Sequence, residues 1–116
     1  MSVQIDGKTL DATAVSVEFN PVTAEVDEMT AARYKRVVTP FGAYRRWRIS
    51  GVEPVSIAWI DSIVNHLHSK AQAGEKVTLT ISHPGYEFNG DAWIMDIGME
   101  LTEKLRIYTV TLQEVM

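Results

Sequence analysis

The stretch Val55-Ser-Ile-Ala-Trp-Ile-Asp-Ser-Ile-Val-Asn-His-Leu-His-Ser-Lys-Ala-Gln-Ala-Gly74, continuing Glu75-Lys-Val-Thr-Leu-Thr-Ile-Ser82, decides the fold class. Ile57, Ile60, Ile63, Val64, Leu67 and Ala71 recur at spacings of three and four, which predicts one apolar stripe on an α-helix. Asp61, Ser62, Asn65, His68, Ser69 and Gln72 fall between them and predict a solvated opposite face. Pro54 suits the first turn of such a helix. Gly74 suits the left-handed position after its last turn, with Lys70 near the negative end. From Lys76 the period changes to two. Val77, Leu79 and Ile81 alternate with Thr78, Thr80 and Ser82, the pattern of a half-buried strand.

Around this helix the chain reads as strand and turn. Val3-Gln4-Ile5 enters an Asp6-Gly7 turn, and Val15, Val17 and Phe19 alternate until Asn20-Pro21, a pair expected to stop the strand. The acid-rich segment Thr23 to Ala32 reads as a loop or irregular strand. Arg33 to Thr39 and Tyr44 to Ser50 read as two arms of a hairpin turning at Pro40-Phe41-Gly42-Ala43. Further on, Tyr86 to Phe88 leads to Asn89-Gly90, either a tight hairpin turn or a bulge in one long bent strand. Trp93, Met95, Ile97, Met99 and Leu101 alternate, Thr102-Glu103-Lys104 turns the chain, and Leu105 to Val115 closes it with Arg106, Tyr108, Val110 and Leu112 in one phase. The expected fold is α+β: a mainly antiparallel β-sandwich or split barrel of about six to seven strands, with one amphipathic helix packed on it.

The 116 residues suit a single domain with one core. With no cysteine, disulfides and thiolate metal sites are excluded. A formal charge of -4 argues against a general nucleic-acid binder, and no apolar run approaches the roughly 20 residues of a membrane helix. The start of the chain lacks the basic and apolar regions of a signal peptide, so a cytoplasmic site of synthesis is expected.

His66, His68 and His83 are the conventional metal or acid–base candidates. His66 and His68 point roughly 200° apart on a helix, so they cannot share a metal. No paired-carboxylate motif, nucleophile elbow, phosphate loop or zinc-protease motif is present. No catalysis, metal or cofactor is therefore expected. The compositional anomaly is basic: Arg33, Lys35, Arg36, Arg45, Arg46 and Arg48 place six of the 11 cationic side chains within 16 residues, interleaved with Tyr34, Phe41, Tyr44 and Trp47. Arginine among aromatics marks protein interfaces and single-strand nucleic-acid grooves. Glu25, Asp27 and Glu28 just upstream would repel phosphate, yet would suit the basic segment of a neighbouring copy. These ten residues, with Trp47 as the anchor, are the candidate subunit interface, and head-to-tail contact of this kind closes a ring or grows a tube. The alternative is a monomeric binding module whose basic–aromatic hairpin takes a nucleic-acid or small-molecule ligand.

The order of elements, a long basic excursion, one helix, a short strand and a closing hairpin ending Tyr108-Thr109-Val110-Thr111-Leu112, resembles the shared fold of bacteriophage tail proteins (tube, distal-tail and tail-end subunits). Gly74 to Ile81 followed by Tyr86-Glu87-Phe88-Asn89-Gly90-Asp91-Ala92-Trp93 is the piece most similar to it. The resemblance covers Arg33 to the end as an element order. It implies one tail-tube-like domain over residues 1–116 and a non-enzymatic virion subunit, made in a host cytoplasm. It further implies a homo-oligomeric ring, of six copies, through sheet edges and the long hairpin. Other tail or baseplate proteins would be its partners, with DNA passing through the lumen without sequence-specific binding.

Overall fold

In the computed structural model the backbone is described for residues 2–30 and 33–115, and side chains for 2–20 and 44–115. Seven strands run β1 (Ser2–Ile5), β2 (Lys8–Leu10), β3 (Ala12–Thr30), β4 (Arg33–Pro54), β5 (Val77–His83), β6 (Tyr86–Leu101) and β7 (Leu105–Glu114), with helix α1 (Ile63–Ala73) between β4 and β5. All pairings are antiparallel, in the sheet order β2-β1-β5-β6-β7-β4-β3. β2 and β3 stand at opposite edges of that sheet, yet only Asp11 separates them in the chain. The sheet must therefore roll until its edges approach. The Val52 amide of β4 donates to Asp11 O at 3.1 Å across the seam. The result is the split barrel with one helix that the sequence predicts.

Period-two alternation places one phase of each strand inside. Val3, Ile5, Leu10, Trp47, Ile49, Val77, Leu79, Ile81, Ala92, Tyr108, Val110 and Leu112 are buried together, and α1 adds Ile63, Val64 and Leu67. The Asp6-Gly7 turn takes positive φ at both residues (52° and 78°), the geometry that matches the twist of a two-residue hairpin. Gly74 ends α1 at φ 68°, and its amide and that of Glu75 satisfy the last carbonyls of the helix.

Three expectations are corrected. First, the helix starts at Ile63, not near Ile57, and Pro54 closes β4 instead of opening the helix. Ser62 caps it, with Oγ accepting from Val64 N at 3.2 Å, while residues 55–62 form a loop with a short 3₁₀ turn at Trp59–Asp61. Ile57 and Ile60, expected on the buried stripe, are exposed. Second, Asn20-Pro21 does not end its strand. β3 continues to Thr30 through a register shift between Pro21 and Thr23, so of the two readings of 23–32, loop or irregular strand, the strand holds as far as Thr30. Proline is tolerated because β3 is an edge strand, where a missing N–H costs no ladder bond. Third, Pro40 to Ala43 is not a turn. β4 is continuous through it, with Pro40 opposite Thr23 and Ala43 opposite Pro21. The hairpin reverses between Thr30 and Arg33 instead, and Ala31 and Ala32 lie outside the described residues.

Candidate assembly surfaces

β4 pairs with β7 only from Arg46 to Pro54, whereas its pairing with β3 runs on to Arg33 opposite Thr30. From Asn20–Tyr44 to Thr30–Arg33 the protein is thus a two-stranded arm leaving the barrel, about 35 Å long at the usual rise per residue. The molecule accordingly measures 71 × 32 × 24 Å. A two-stranded ribbon is marginal alone, since it has no second layer on which to bury its apolar side chains.

Arg45 staples the base of this arm. Its Nη2 donates to Glu114 Oε2 at 2.9 Å, its backbone amide to Oε1 at 3.0 Å, and its Nη1 to Tyr86 Oη at 3.3 Å, with the guanidinium 4.6 Å from the Phe88 ring centre. The Glu114 hydrogen bond holds the Arg45 guanidinium protonated to higher pH than usual, and Arg45 in turn holds the Glu114 carboxyl below its ordinary value. Trp47 lies beneath, 4.4 Å from Phe88, with Nε1 donating to Tyr86 Oη at 3.1 Å.

The candidate interface residues therefore separate. Trp47, expected to anchor a neighbour, is 0% exposed: the inward phase of β4 commits it to the chain's own core. Arg45 is engaged by Glu114 on β7. Arg46 and Arg48 point outward into a cleft of about 200 Å³ shared with Ser16, Glu18 and Thr111. Arg46 Nη2 donates to Gln113 Oε1 at 2.9 Å, and its buried Nε has no acceptor among the described residues. On the arm the register sets Asp27 opposite Arg36 and Glu28 opposite Lys35, with Glu25 opposite Val38 and Arg33 opposite Thr30. By register, two of the acids expected to meet a neighbour's basic segment, Asp27 and Glu28, are thus set opposite Arg36 and Lys35 of their own hairpin. The side chains of these six residues lie outside the described set.

A second feature, unseen in the sequence, sits at the other end of the barrel. Glu53 on β4 and Arg106 on β7 form a buried ion pair, Nη1 to Oε1 at 2.7 Å. Ser62 Oγ also donates to Glu53 Oε1 at 2.6 Å, Ile63 N donates to Oε2 at 3.0 Å, and Arg106 Nη2 donates to Ile57 O at 2.7 Å. Burial pushes the Glu53 carboxyl up, but the bonds from Ser62, Ile63 and Arg106 outweigh it and hold the group below its ordinary value. Burial, with the charges of Glu53 and Asp11, pushes neighbouring Tyr108 up to about 12. This network fixes the 55–62 loop and the start of α1 to the barrel. The loop so fixed displays Val55, Ile57, Trp59 and Ile60 to solvent, and Ile60 is 82% exposed.

Of the histidines, His66 Nε2 lies 2.8 Å from Asp6 Oδ2, tying α1 to the β1–β2 turn, and His83 Nδ1 accepts from Gly85 N. His68 is exposed. Among the described residues no three groups of metal-ligating type cluster, and no described helix is long and apolar enough to cross a membrane.

No family model matches the sequence, and no curated protein matches it. Solved structures do. A chain in the tail of an empty gene transfer agent particle, refined with C6 helical symmetry, superposes at a TM-score of 0.55 and 17% identity, over 92% of this chain and 79% of that one. A chain in the virion of a native gene transfer agent particle superposes at 0.58 and 18% identity, over 98% and 91%. The chain therefore shares the fold of chains in the gene transfer agent tail and virion, in line with the resemblance of its element order to tail proteins.

Proposed function

We propose that this protein is a non-enzymatic structural subunit of a phage tail or related injection machine, located in the virion and closing with copies of itself into a six-membered ring around a DNA channel. The observation that carries this reading is the arm. About 35 Å of two-stranded sheet leaves the barrel with no layer of its own chain described against it, and such a ribbon gains a second layer by lying on another subunit. The C6 symmetry of one structural neighbour supports a count of six. Arg46 and Arg48, outward at the base of the arm, take the role of charged contacts with the adjacent subunit. Tube, distal ring and baseplate positions all use such a ring, with other tail proteins above and below it.

Light scattering at low and high salt, followed by electron microscopy, tests the reading. A discrete ring or a salt-sensitive polymer is expected. Replacing Arg46 and Arg48 together by glutamate should shrink the assembled mass. A strict monomer across concentration that binds single-stranded nucleic acid in a salt-dependent way would overturn the ring and favour the binding-module alternative.

A further inference from the structure

Several exposed apolar side chains gather at one end of the barrel, while Phe19, Trp93 and Met95 are exposed elsewhere. Ile57, Trp59 and Ile60 project from the 55–62 loop, and Met99 and Leu101 lie beside them, opposite Tyr108 and Arg106 in the β6–β7 register. Trp59 packs on the Arg106 guanidinium, 5.7 Å from its ring centre. The loop is not loose: Arg106 and Glu53 tether it from beneath, and Val55 N donates to Lys104 O at 3.0 Å. Apolar area of this kind, on the order of several hundred Å², marks a partner site on a soluble protein. A rigid display lowers the ordering cost of binding.

The opposite end carries a complement. Val15, Val17, Ile81, His83, Gly85 and Tyr86 line a mainly apolar cleft of about 270 Å³, between the edge strand β3 and the β5–β6 turn. β6 joins the two features directly. It is 16 residues long, starting at Tyr86 in the cleft and ending at Leu101 beside the knob, about 50 Å of extended chain. The arm also leaves from the cleft end, where Arg45 reaches Tyr86.

We propose that the knob formed by Ile57, Trp59 and Ile60 seats in the Val15–Val17–Tyr86 cleft of a second copy, stacking subunits end to end along the strand direction. Knob and hole are different patches at opposite ends of one molecule, so the contact is heterologous and repeats indefinitely: it makes a tube from rings. The arm of each copy departs beside its own cleft, so the copy whose knob fills that cleft also stands where the arm projects. The proposal rests on the ring reading and adds how one layer meets the next.

Cysteine pairing tests it cleanly, because the chain has none of its own. Ile60→Cys and His83→Cys place thiols on the knob and the cleft rim. Oxidised under assembly conditions, the double variant should give a ladder of covalent multimers, and a mixture of the two single variants should give dimers. Ile60→Asp should raise the concentration needed for stacking by about tenfold or more while leaving single rings intact. Assembled tubes that yield no ladder, or that tolerate Ile60→Asp, would overturn the knob-and-cleft contact alone. Loss of every assembled species in the parent protein would overturn the ring reading and this contact with it.

Discussion

Removing Glu53 is the most informative single perturbation of the fold. Its carboxylate accepts from Arg106, Ser62 and Ile63, so Glu53→Met leaves a buried guanidinium without its anion and a hydroxyl and an amide without acceptors. Breaking a buried pair from one side costs about 3–5 kcal/mol, because the remaining charge keeps its desolvation penalty. At a few degrees per kcal/mol for a domain of this size, the melting temperature should fall by roughly 10–25 °C. Arg106→Met should cost a similar amount by stranding the carboxylate. The double variant Glu53→Met/Arg106→Met strands neither charge and should lose far less than the two single losses added, since an apolar pair can replace a buried ion pair at little cost. The pH dependence has a definite sign. The folded Glu53 carboxyl titrates below its ordinary 4.5, so its contribution is complete above that value and is lost as pH falls below it. Chemical denaturation of the four proteins, at neutral pH and near pH 4, reads all of this. Single variants costing under about 1 kcal/mol at neutral pH, or a strictly additive double variant, would refute the assignment of this pair as the clamp on the 55–62 loop.

Three other outcomes are expected. Gly51→Ala should destabilise by about 1–3 kcal/mol in urea unfolding, since its Cβ would lie 2.5 Å from Tyr108 Oη and 2.9 Å from Asp11 O; Tyr108→Phe should relieve only part, because Cζ stands 2.7 Å away. Trp47→Ala should cost about 3–5 kcal/mol or prevent folding, while Arg48→Ala should leave the melting temperature of the unassembled protein nearly unchanged. At Asp6, burial raises the carboxyl, but the Thr78 amide and His66 more than offset it, so the folded value lies below 3.8. Stability supplied there should be present above that value and decline below it, and the exchange protection of the Thr78 amide, relative to its intrinsic rate, should fall first in acid.

Much of the barrel was legible because local rules and burial agreed. Val77, Leu79 and Ile81, and Tyr108, Val110 and Leu112, alternate in sequence and are buried in the structure, and Gly74 occupies the left-handed cap its position suggested. Where local rules failed, a distant partner had outweighed them. Pro40 and Gly42 look like a turn, but pairing with β3 on either side carries β4 on through a register shift at Phe41 and Gly42, and Pro21 is tolerated on the edge strand beside that shift. Ile57 and Ile60 sit at helical spacing, yet Glu53, 53 residues from Arg106 in the chain, captures Ser62 and Ile63 and starts the helix there.

The alternation of apolar and polar residues, the turn pairs and the helix cap are properties of a few neighbouring residues, so the sequence by itself determined the inward phase of β5 and β7, the helix's end and an α+β class. Which charges face one another is a property of register. Only the tertiary structure sets Asp27 against Arg36 within one hairpin, turns Trp47 inward, and leaves Arg46 and Arg48 outward at the root of an arm. A shift of one residue in the β3–β4 pairing would reverse those faces, and composition does not change when register does.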